Sequence, residues 1–179
     1  MNRLVLLACI VFAGCLKAPP PPGPPTKAQA GRPSLELLGD VPGVMTRKEF
    51  EEKYSNKLID WEAVPNASPG SQTALLTEST GIPLMFADRL ADITTYTFYD
   101  GVLESITMGT NTPSTAQAFS GALRTKFGRP DRTEDNENIL FWETDTLRLS
   151  ARDSGVSLSS LEVQTKREAA EKARAQKTL

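Results

Sequence analysis

Histidine is absent from this chain of 179 residues, and cysteine occurs only twice. Without imidazole, the Ser-His-Asp and Cys-His nucleophilic systems, zinc hydrolysis and histidine acid–base catalysis are excluded. Both cysteines, Cys9 and Cys15, lie near the N-terminus, so the rest of the sequence contains no thiol, disulfide or soft metal ligand. Any catalysis would depend on carboxylate, lysine, tyrosine or serine side chains, and we expect no metal and no cofactor.

An excess of basic residues is also missing. Lysine and arginine number 20 against 22 aspartate and glutamate residues, which gives a net charge of −2. Because binding to phosphate chains requires a concentrated positive field, we expect no nucleic-acid partner. The length allows one domain and hardly a second.

No apolar run is long enough to cross a bilayer. A short head containing Arg3 precedes an apolar run from Leu4 to Gly14, which is typical of an export signal. As a helix this run would cover roughly 17 Å, whereas the hydrocarbon core is about 30 Å thick. The run ends in Phe12-Ala13-Gly14-Cys15, which resembles the lipobox of bacterial lipoproteins.

The lipobox resemblance implies a diacylglyceryl group on Cys15 and cleavage before it, so that residues 1–14 are a signal peptide. Phe12 departs from the leucine usual in this motif. The segment Leu6-Leu7-Ala8-Cys9 fits the short motif better, but it leaves few apolar residues ahead of its cysteine, so we favour Cys15. An ordinary secreted protein is the alternative. Leu16, rather than aspartate, follows the cysteine, which resembles the sorting pattern of Gram-negative lipoproteins at the outer membrane. The resemblance implies an exported lipoprotein at that membrane, on its periplasmic face or at the cell surface.

Proline dominates the segment after the cysteine. Residues 15–33 include Pro19 to Pro22, Pro24, Pro25 and Pro33. Proline fixes φ and removes a donor, so we interpret the segment as a polyproline tether of about 3.1 Å per residue. A ligand for a proline-reading domain is the alternative. We place one folded domain at residues 34–164 and a polar C-terminal helix at residues 165–179.

Capping signals predict three helices. Thr46 and Glu49 form a capping box, and Phe50 and Tyr54 share one face of the helix that follows. A second helix begins at Thr112-Pro113 and ends at Gly128. Its predicted buried stripe consists of Ala116, Phe119, Leu123 and Phe127. Another capping box, Thr165-Lys166-Arg167-Glu168, predicts a third, polar helix to about Gln176, either a solvated tail or a docking element.

Alternating apolar residues and turn signals predict an antiparallel sheet. The clearest signal is a hairpin over residues 93–108, because Asp100-Gly101 supplies the positive φ angles of a tight turn. In it, Tyr96 and Phe98 share one face, and Val102, Glu104, Ile106 and Met108 share a face of the partner strand. Other strands are predicted at 58–64, 72–78, 139–142, 146–151 and 156–163, the last three as a meander. The sequence therefore predicts an α+β fold of two helix-plus-strands halves.

This order of elements resembles the BamE-like group of outer-membrane assembly lipoproteins and the related β-lactamase-inhibitor-like fold. The resemblance covers residues 44–108 and 113–163, and it depends on a capped helix followed by an antiparallel sheet and on the Phe98-Tyr99-Asp100-Gly101 hairpin. It implies a small envelope lipoprotein. No functional residue is carried over, because no family signature is matched position by position.

Two groups of carboxylates are candidate chemical sites. Asp131, Glu134, Asp135 and Glu137 form an oxygen-rich segment of the kind that calcium prefers, but the alternating spacing and central glycine of a calcium loop are missing, which favours a solvated turn. Glycan-cleaving enzymes need two carboxyl groups roughly 5 to 10 Å apart. The candidates for such a pair are Glu62, Glu104, Glu143 and Asp145, and surface charge is the simpler interpretation.

Aromatic residues on the predicted strands are candidates for a contact surface, since tryptophan and tyrosine concentrate binding energy. This hypothesis names Trp61, Tyr96, Phe98 and Trp142, with core packing as the favoured alternative. Phe141 and Trp142 are adjacent, so they must point to opposite faces of a strand.

Together these features favour a non-enzymatic, membrane-anchored envelope lipoprotein that binds another protein or acts in assembly. Its partners would be the membrane, through lipid on Cys15, and an envelope protein. The alternatives are an inhibitor or sensor of an extracellular enzyme, and a carboxylate-based enzyme acting on cell-wall glycan.

Overall fold

A computed structural model of the chain describes residues 33–55, 59–62, 68–76, 85–134 and 138–177. These ranges contain three helices and ten strands. The helices are α1 (Arg47–Lys53), α2 (Pro113–Phe127) and α3 (Leu161–Lys177). The strands are β1 (Asp60–Glu62), β2 (Ser71–Leu76), β3 (Met85–Phe86), β4 (Arg89–Leu90), β5 (Ile93–Tyr99), β6 (Val102–Gly109), β7 (Arg132–Glu134), β8 (Ile139–Glu143), β9 (Leu147–Arg152) and β10 (Gly155–Ser160).

Eight strands form one antiparallel sheet in the order β1-β2-β5-β6-β10-β9-β8-β7. Each half of the chain contributes four strands preceded by a helix, and the halves meet where their last strands, β6 and β10, pair. The short strands β3 and β4 make a separate hairpin. The predicted α+β class, with an antiparallel sheet and two helix-plus-strands halves, is confirmed.

Local chemistry explains how α1 and α2 begin and end. The Thr46 side chain accepts from the Glu49 amide while the Glu49 carboxylate accepts from the Thr46 amide at 2.7 Å, which confirms the predicted capping box. Pro113 opens α2 as predicted, although Thr112 makes no side-chain capping bond. Gly128 ends α2 at a φ of 76°, a left-handed conformation that glycine adopts without strain.

The β5–β6 hairpin turns at Asp100 (φ 48°) and Gly101 (φ 77°), as predicted. Its register shifts between Thr97 and Phe98, however, so β6 carries one extra residue there. Because of this bulge, the prediction that Glu104 and Ile106 share one face of β6 is wrong. Glu104 does not share a face with Ile106 but bonds to α3 on the other side of the sheet.

The core lies on the inner face of the sheet, the face that α1 and α2 cover. One row of cross-strand neighbours crosses seven strands there, and all of its members except the first are fully buried. The row consists of Trp61, Ala74, Tyr96, Ile106, Leu158, Leu149 and Trp142. Phe50 of α1 packs on the aromatic part of this row, and Phe119, Leu123 and Phe127 of α2 are buried with it, which confirms the predicted stripe. Each such side chain contributes about 1.5–3 kcal/mol by leaving water.

The junction of β10 and α3 differs from the prediction. The helix begins at Leu161, so residues 161–163 are helical rather than extended, and Thr165 lies within the helix rather than at its cap. The Ser160 hydroxyl accepts from the Val163 amide at 3.4 Å, and the Thr165 hydroxyl donates to the Leu161 carbonyl at 2.7 Å. Two residues with capping chemistry stand five positions apart, and burial of Val163 favours the earlier start.

Candidate functional site

The outer face of the sheet, opposite the core, is rich in short polar side chains. Alternation along each strand places Thr95, Thr107, Ser157, Ser150 and Phe141 in one cross-strand row. The hydroxyls of Thr107 and Ser157 lie 3.1 Å apart across the β6–β10 seam. A polar face on a sheet of this size must meet water, a helix or a partner.

Helix α3 covers only one end of this outer face. Arg167 donates from Nε to Oε1 of the buried Glu104 at 2.9 Å, and this hydrogen bond raises the pKa of Arg167. Farther along the helix, Glu171 accepts from the Ser68 hydroxyl, and Arg174 donates to the Pro69 carbonyl at 3.2 Å. These bonds hold α3 against the first half of the sheet.

The second half of the outer face is open. Strands β7 to β10 form a shallow depression of about 580 Å³ there, which we call the outer groove. Its principal lining residues are Arg132, Phe141, Arg148, Ser150, Arg152 and Ser157, with Thr107 at the seam. Most of these side chains are partly exposed, so a large partner could reach them without a change in the fold.

Two of the arginines that line the outer groove bind Glu143, which lies beside the groove. Its Oε1 accepts from Arg148 Nε at 2.7 Å and from Arg132 Nη2 at 3.3 Å, and its amide donates to Asp131 at 2.8 Å. Arg132 also pairs with Glu134. One carboxylate therefore lies between two guanidinium groups from different strands.

Phe141 forms the apolar part of the groove floor. The Arg132 guanidinium lies over its ring, 3.8 Å from the centroid, and the ring is only 7 % exposed. Trp142 points the other way into the core, where its indole donates to the Gly128 carbonyl at 3.0 Å. The prediction that these neighbours lie on opposite faces is confirmed.

The predicted aromatic contact surface is wrong for three of its four residues. Tyr96, Phe98 and Trp142 are fully buried on the inner face. Trp61 is partly buried under the Arg47 guanidinium, 4.2 Å from the ring centroid. These aromatics stabilise the core because α1 and α2 cover the face to which alternation directs them.

The structure does not bring the candidate carboxylates together as a facing pair. Glu104 and Glu143 lie three strand spacings apart, roughly 14 Å, and both are engaged by arginine. Glu62 belongs to β1, the strand at the opposite edge of the sheet from β7 and β8. Asp145 is exposed in the β8–β9 turn.

The acidic segment that begins at Asp131 is described only in part. Asp131 accepts from the Glu143 amide, and Glu134 pairs with Arg132. Residues 135–137 lie outside the described ranges, as does Cys15. Among the described residues, no three acidic, cysteine or histidine side chains cluster as metal ligands, and no helix is long and apolar enough to span a membrane.

The sequence did not predict one buried polar cluster, which surrounds Asp40. Asp40 is buried, and its carboxylate accepts from Lys53 Nζ at 2.5 Å and from the hydroxyls of Tyr54 and Tyr96 at 2.8 Å each. Burial raises the pKa of both tyrosines. Partial desolvation disfavours the charge of Lys53, but the hydrogen bond and charge of Asp40 outweigh it and raise the pKa of Lys53.

This cluster fastens the chain before α1 to the core. Asp40 closes a small turn through backbone bonds with Leu37, which is itself buried. In the sequence, Gly39-Asp40 looks like an ordinary polar turn. The apolar pair before it, Leu37-Leu38, was the one sign that this turn packs on the core. Because both carboxylate oxygens of Asp40 accept hydrogen bonds from protein donors, the cluster is suited to holding structure.

No protein-family model matches the chain, and no curated protein or solved structure shows significant similarity to it.

Proposed function

We propose that this protein is a lipid-anchored bacterial envelope protein that binds another protein through the outer groove. The single observation that carries the proposal is the asymmetry of the sheet. Helices α1 and α2 pack on its inner face, where the buried core lies, whereas α3 covers only one end of the outer face and leaves the groove exposed. An extended, rigid surface on a small domain is typical of a binding module rather than of a deep catalytic cleft.

The sequence before the domain supports the membrane part of the proposal. The apolar run to Gly14 and the Phe12-Ala13-Gly14-Cys15 motif favour lipid on Cys15, and the proline-rich residues that follow favour a spacer between the bilayer and the domain.

Labelling with a palmitate analogue in the native bacterium tests the anchor. We expect labelled protein in the membrane fraction, loss of label in Cys15→Ala, and retention in the matched variant Cys9→Ala. Label lost only in Cys9→Ala would move the anchor to Cys9. An unlabelled wild-type protein in the soluble fraction would refute lipid anchoring.

Site-directed photo-crosslinking in intact envelopes tests the binding surface. A photo-reactive residue at Ser157 in the outer groove should give a discrete crosslinked protein. The control position is Lys48, exposed on α1 on the other side of the sheet. Crosslinks from Lys48 but not from Ser157 would contradict the proposal, and so would no crosslink at either position.

A further inference from the structure

We propose that the outer groove binds an extended, carboxylate-rich segment of the partner protein, with its carboxylates received by Arg148 and Arg152. This inference rests on the proposed function, because it specifies the chemistry of the same surface. The groove lies in a chain of net charge −2, yet its lining holds three arginines and one glutamate, and Glu143 lies beside it. The local charge is thus opposite in sign to that of the whole chain.

Strand β9 presents two of the arginines in a regular array. Arg148, Ser150 and Arg152 occupy alternate positions, so neighbouring members share the outer face about 6.8 Å apart and the two arginines are about 14 Å apart. Glutamates at alternate positions of an extended segment also repeat about every 6.8 Å. A segment lying along β9 could therefore place the first and third of three such carboxylates opposite Arg148 and Arg152, with the middle one opposite the Ser150 hydroxyl.

Glu143 shows how a carboxylate is received in this groove. Its Oε1 already accepts from both Arg148 and Arg132, so the protein holds a carboxylate of its own between two guanidinium groups. Arg152 is exposed and makes no hydrogen bond or ion pair with any described residue. A partner carboxylate can therefore bind Arg152 directly and compete with Glu143 for Arg148.

The remaining lining favours carboxylates over a denser polyanion. The guanidinium groups of Arg148 and Arg152 are planar forks that suit bidentate binding of a carboxylate. Ser150 and Ser157 add neutral hydroxyl donors without a like charge. Glu134 and Glu143 would repel a continuous phosphate chain or an anionic lipid surface, which spaced carboxylates can avoid.

A titration with defined probes tests the inference on the full chain, purified in a neutral detergent. The probe is a ten-residue peptide of alternating glutamate and serine, with a lysine–serine peptide as its counterpart. We expect NMR shift changes confined to β8, β9 and β10 with the glutamate peptide alone, and weaker binding at higher salt because the site is exposed. Vesicles rich in anionic phospholipid should leave these signals unchanged.

Charge variants identify the groups involved. Arg152→Gln should weaken binding of the glutamate peptide roughly three- to fivefold, the upper part of the range expected for an exposed ion pair. The matched control Arg89→Gln removes the same charge from the β3–β4 hairpin and should change affinity less than twofold. Glu143→Gln should tighten binding, because it removes the internal competing charge, whereas Glu51→Gln, which removes the carboxylate paired with Arg47 on α1, should not.

The inference is overturned if the peptide fails to bind, if Arg89→Gln weakens binding as much as Arg152→Gln does, or if anionic vesicles rather than the peptide shift the groove signals. A crosslink from Ser157 without peptide binding would refute the acidic partner segment alone and would leave the proposed function unrefuted. Peptide binding without any crosslinked protein would support the carboxylate site and refute the proposed function.

Discussion

Replacing Asp40 by asparagine should destabilise the fold substantially. The carboxylate is fully buried and accepts three hydrogen bonds, one of them from an ammonium group. Asparagine has nearly the same size, but it is neutral, and its single oxygen can serve fewer of these donors. The change thus removes the charge while leaving the packing almost unaltered.

The magnitude follows from the groups left behind. Each hydrogen bond to a charged group contributes about 1.5–3 kcal/mol, and removing one partner of a buried ion pair costs about 3–5 kcal/mol. Lys53 is 41 % exposed, so water can solvate it again and lower the cost. We therefore expect Asp40→Asn to lower the free energy of unfolding by about 2–4 kcal/mol.

Urea unfolding followed by circular dichroism measures this change. The matched control is Asp88→Asn, an exposed turn residue at a φ of 57°, which asparagine tolerates and which should shift stability by less than about 0.5 kcal/mol. Equal effects at the two positions, or an Asp40→Asn protein as stable as the wild type, would refute the role assigned to the cluster.

Three further predictions concern single buried positions. Burial raises the pKa of Tyr96, so the folded chain keeps a proton that the unfolded chain releases, and stability should fall as pH rises above about 10. Unfolding midpoints between pH 8 and 11 should show a smaller fall in Tyr96→Phe, and an unchanged slope would contradict this. Thr94 has a buried hydroxyl without a hydrogen-bond partner among the described residues, so Thr94→Val should raise stability by about 1 kcal/mol in thermal unfolding; a loss would reveal a partner. Gly155 has a φ of 141°, and a Cβ there would overlap the Met108 carbonyl, so Gly155→Ala should cost about 2 kcal/mol or more. Gly121→Ala, in open space on α2, should instead gain up to about 1 kcal/mol, and the reverse order of these two alanine variants would count against the stated geometry.

Local chemistry made much of the fold predictable. The Thr46 capping box, Pro113 at the start of α2 and the Asp100-Gly101 turn act over a few residues, so the sequence displays them directly. The bulge in β6 was not predictable, because it depends on where the segment before α1 and helix α3 meet the sheet. Similarly, capping chemistry alone could not decide whether α3 starts near Ser160 or Thr165, since burial of Val163 decides it.

The candidate site was less visible than the fold. Arg132, Glu143 and Arg148 lie on three strands and meet only through the register of the sheet. Trp61 and Trp142 looked suited to binding because strand alternation does not tell which face the helices cover. Asp40 was missed because a buried aspartate and a solvated turn aspartate have the same local sequence.

The pairing of β6 with β10 would connect the proposed binding to the stability of the fold. Residues paired across this seam are about 50 positions apart in the chain, whereas the other neighbouring strands of each half pair over shorter separations. The seam thus joins two units that are each built largely from local contacts. A partner segment in the outer groove would touch Thr107 on one side of the seam and Ser157 on the other. A bound partner would therefore hold the two halves together. At a free partner concentration of one hundred times the dissociation constant, binding would add about 2.7 kcal/mol to the free energy of unfolding of the domain.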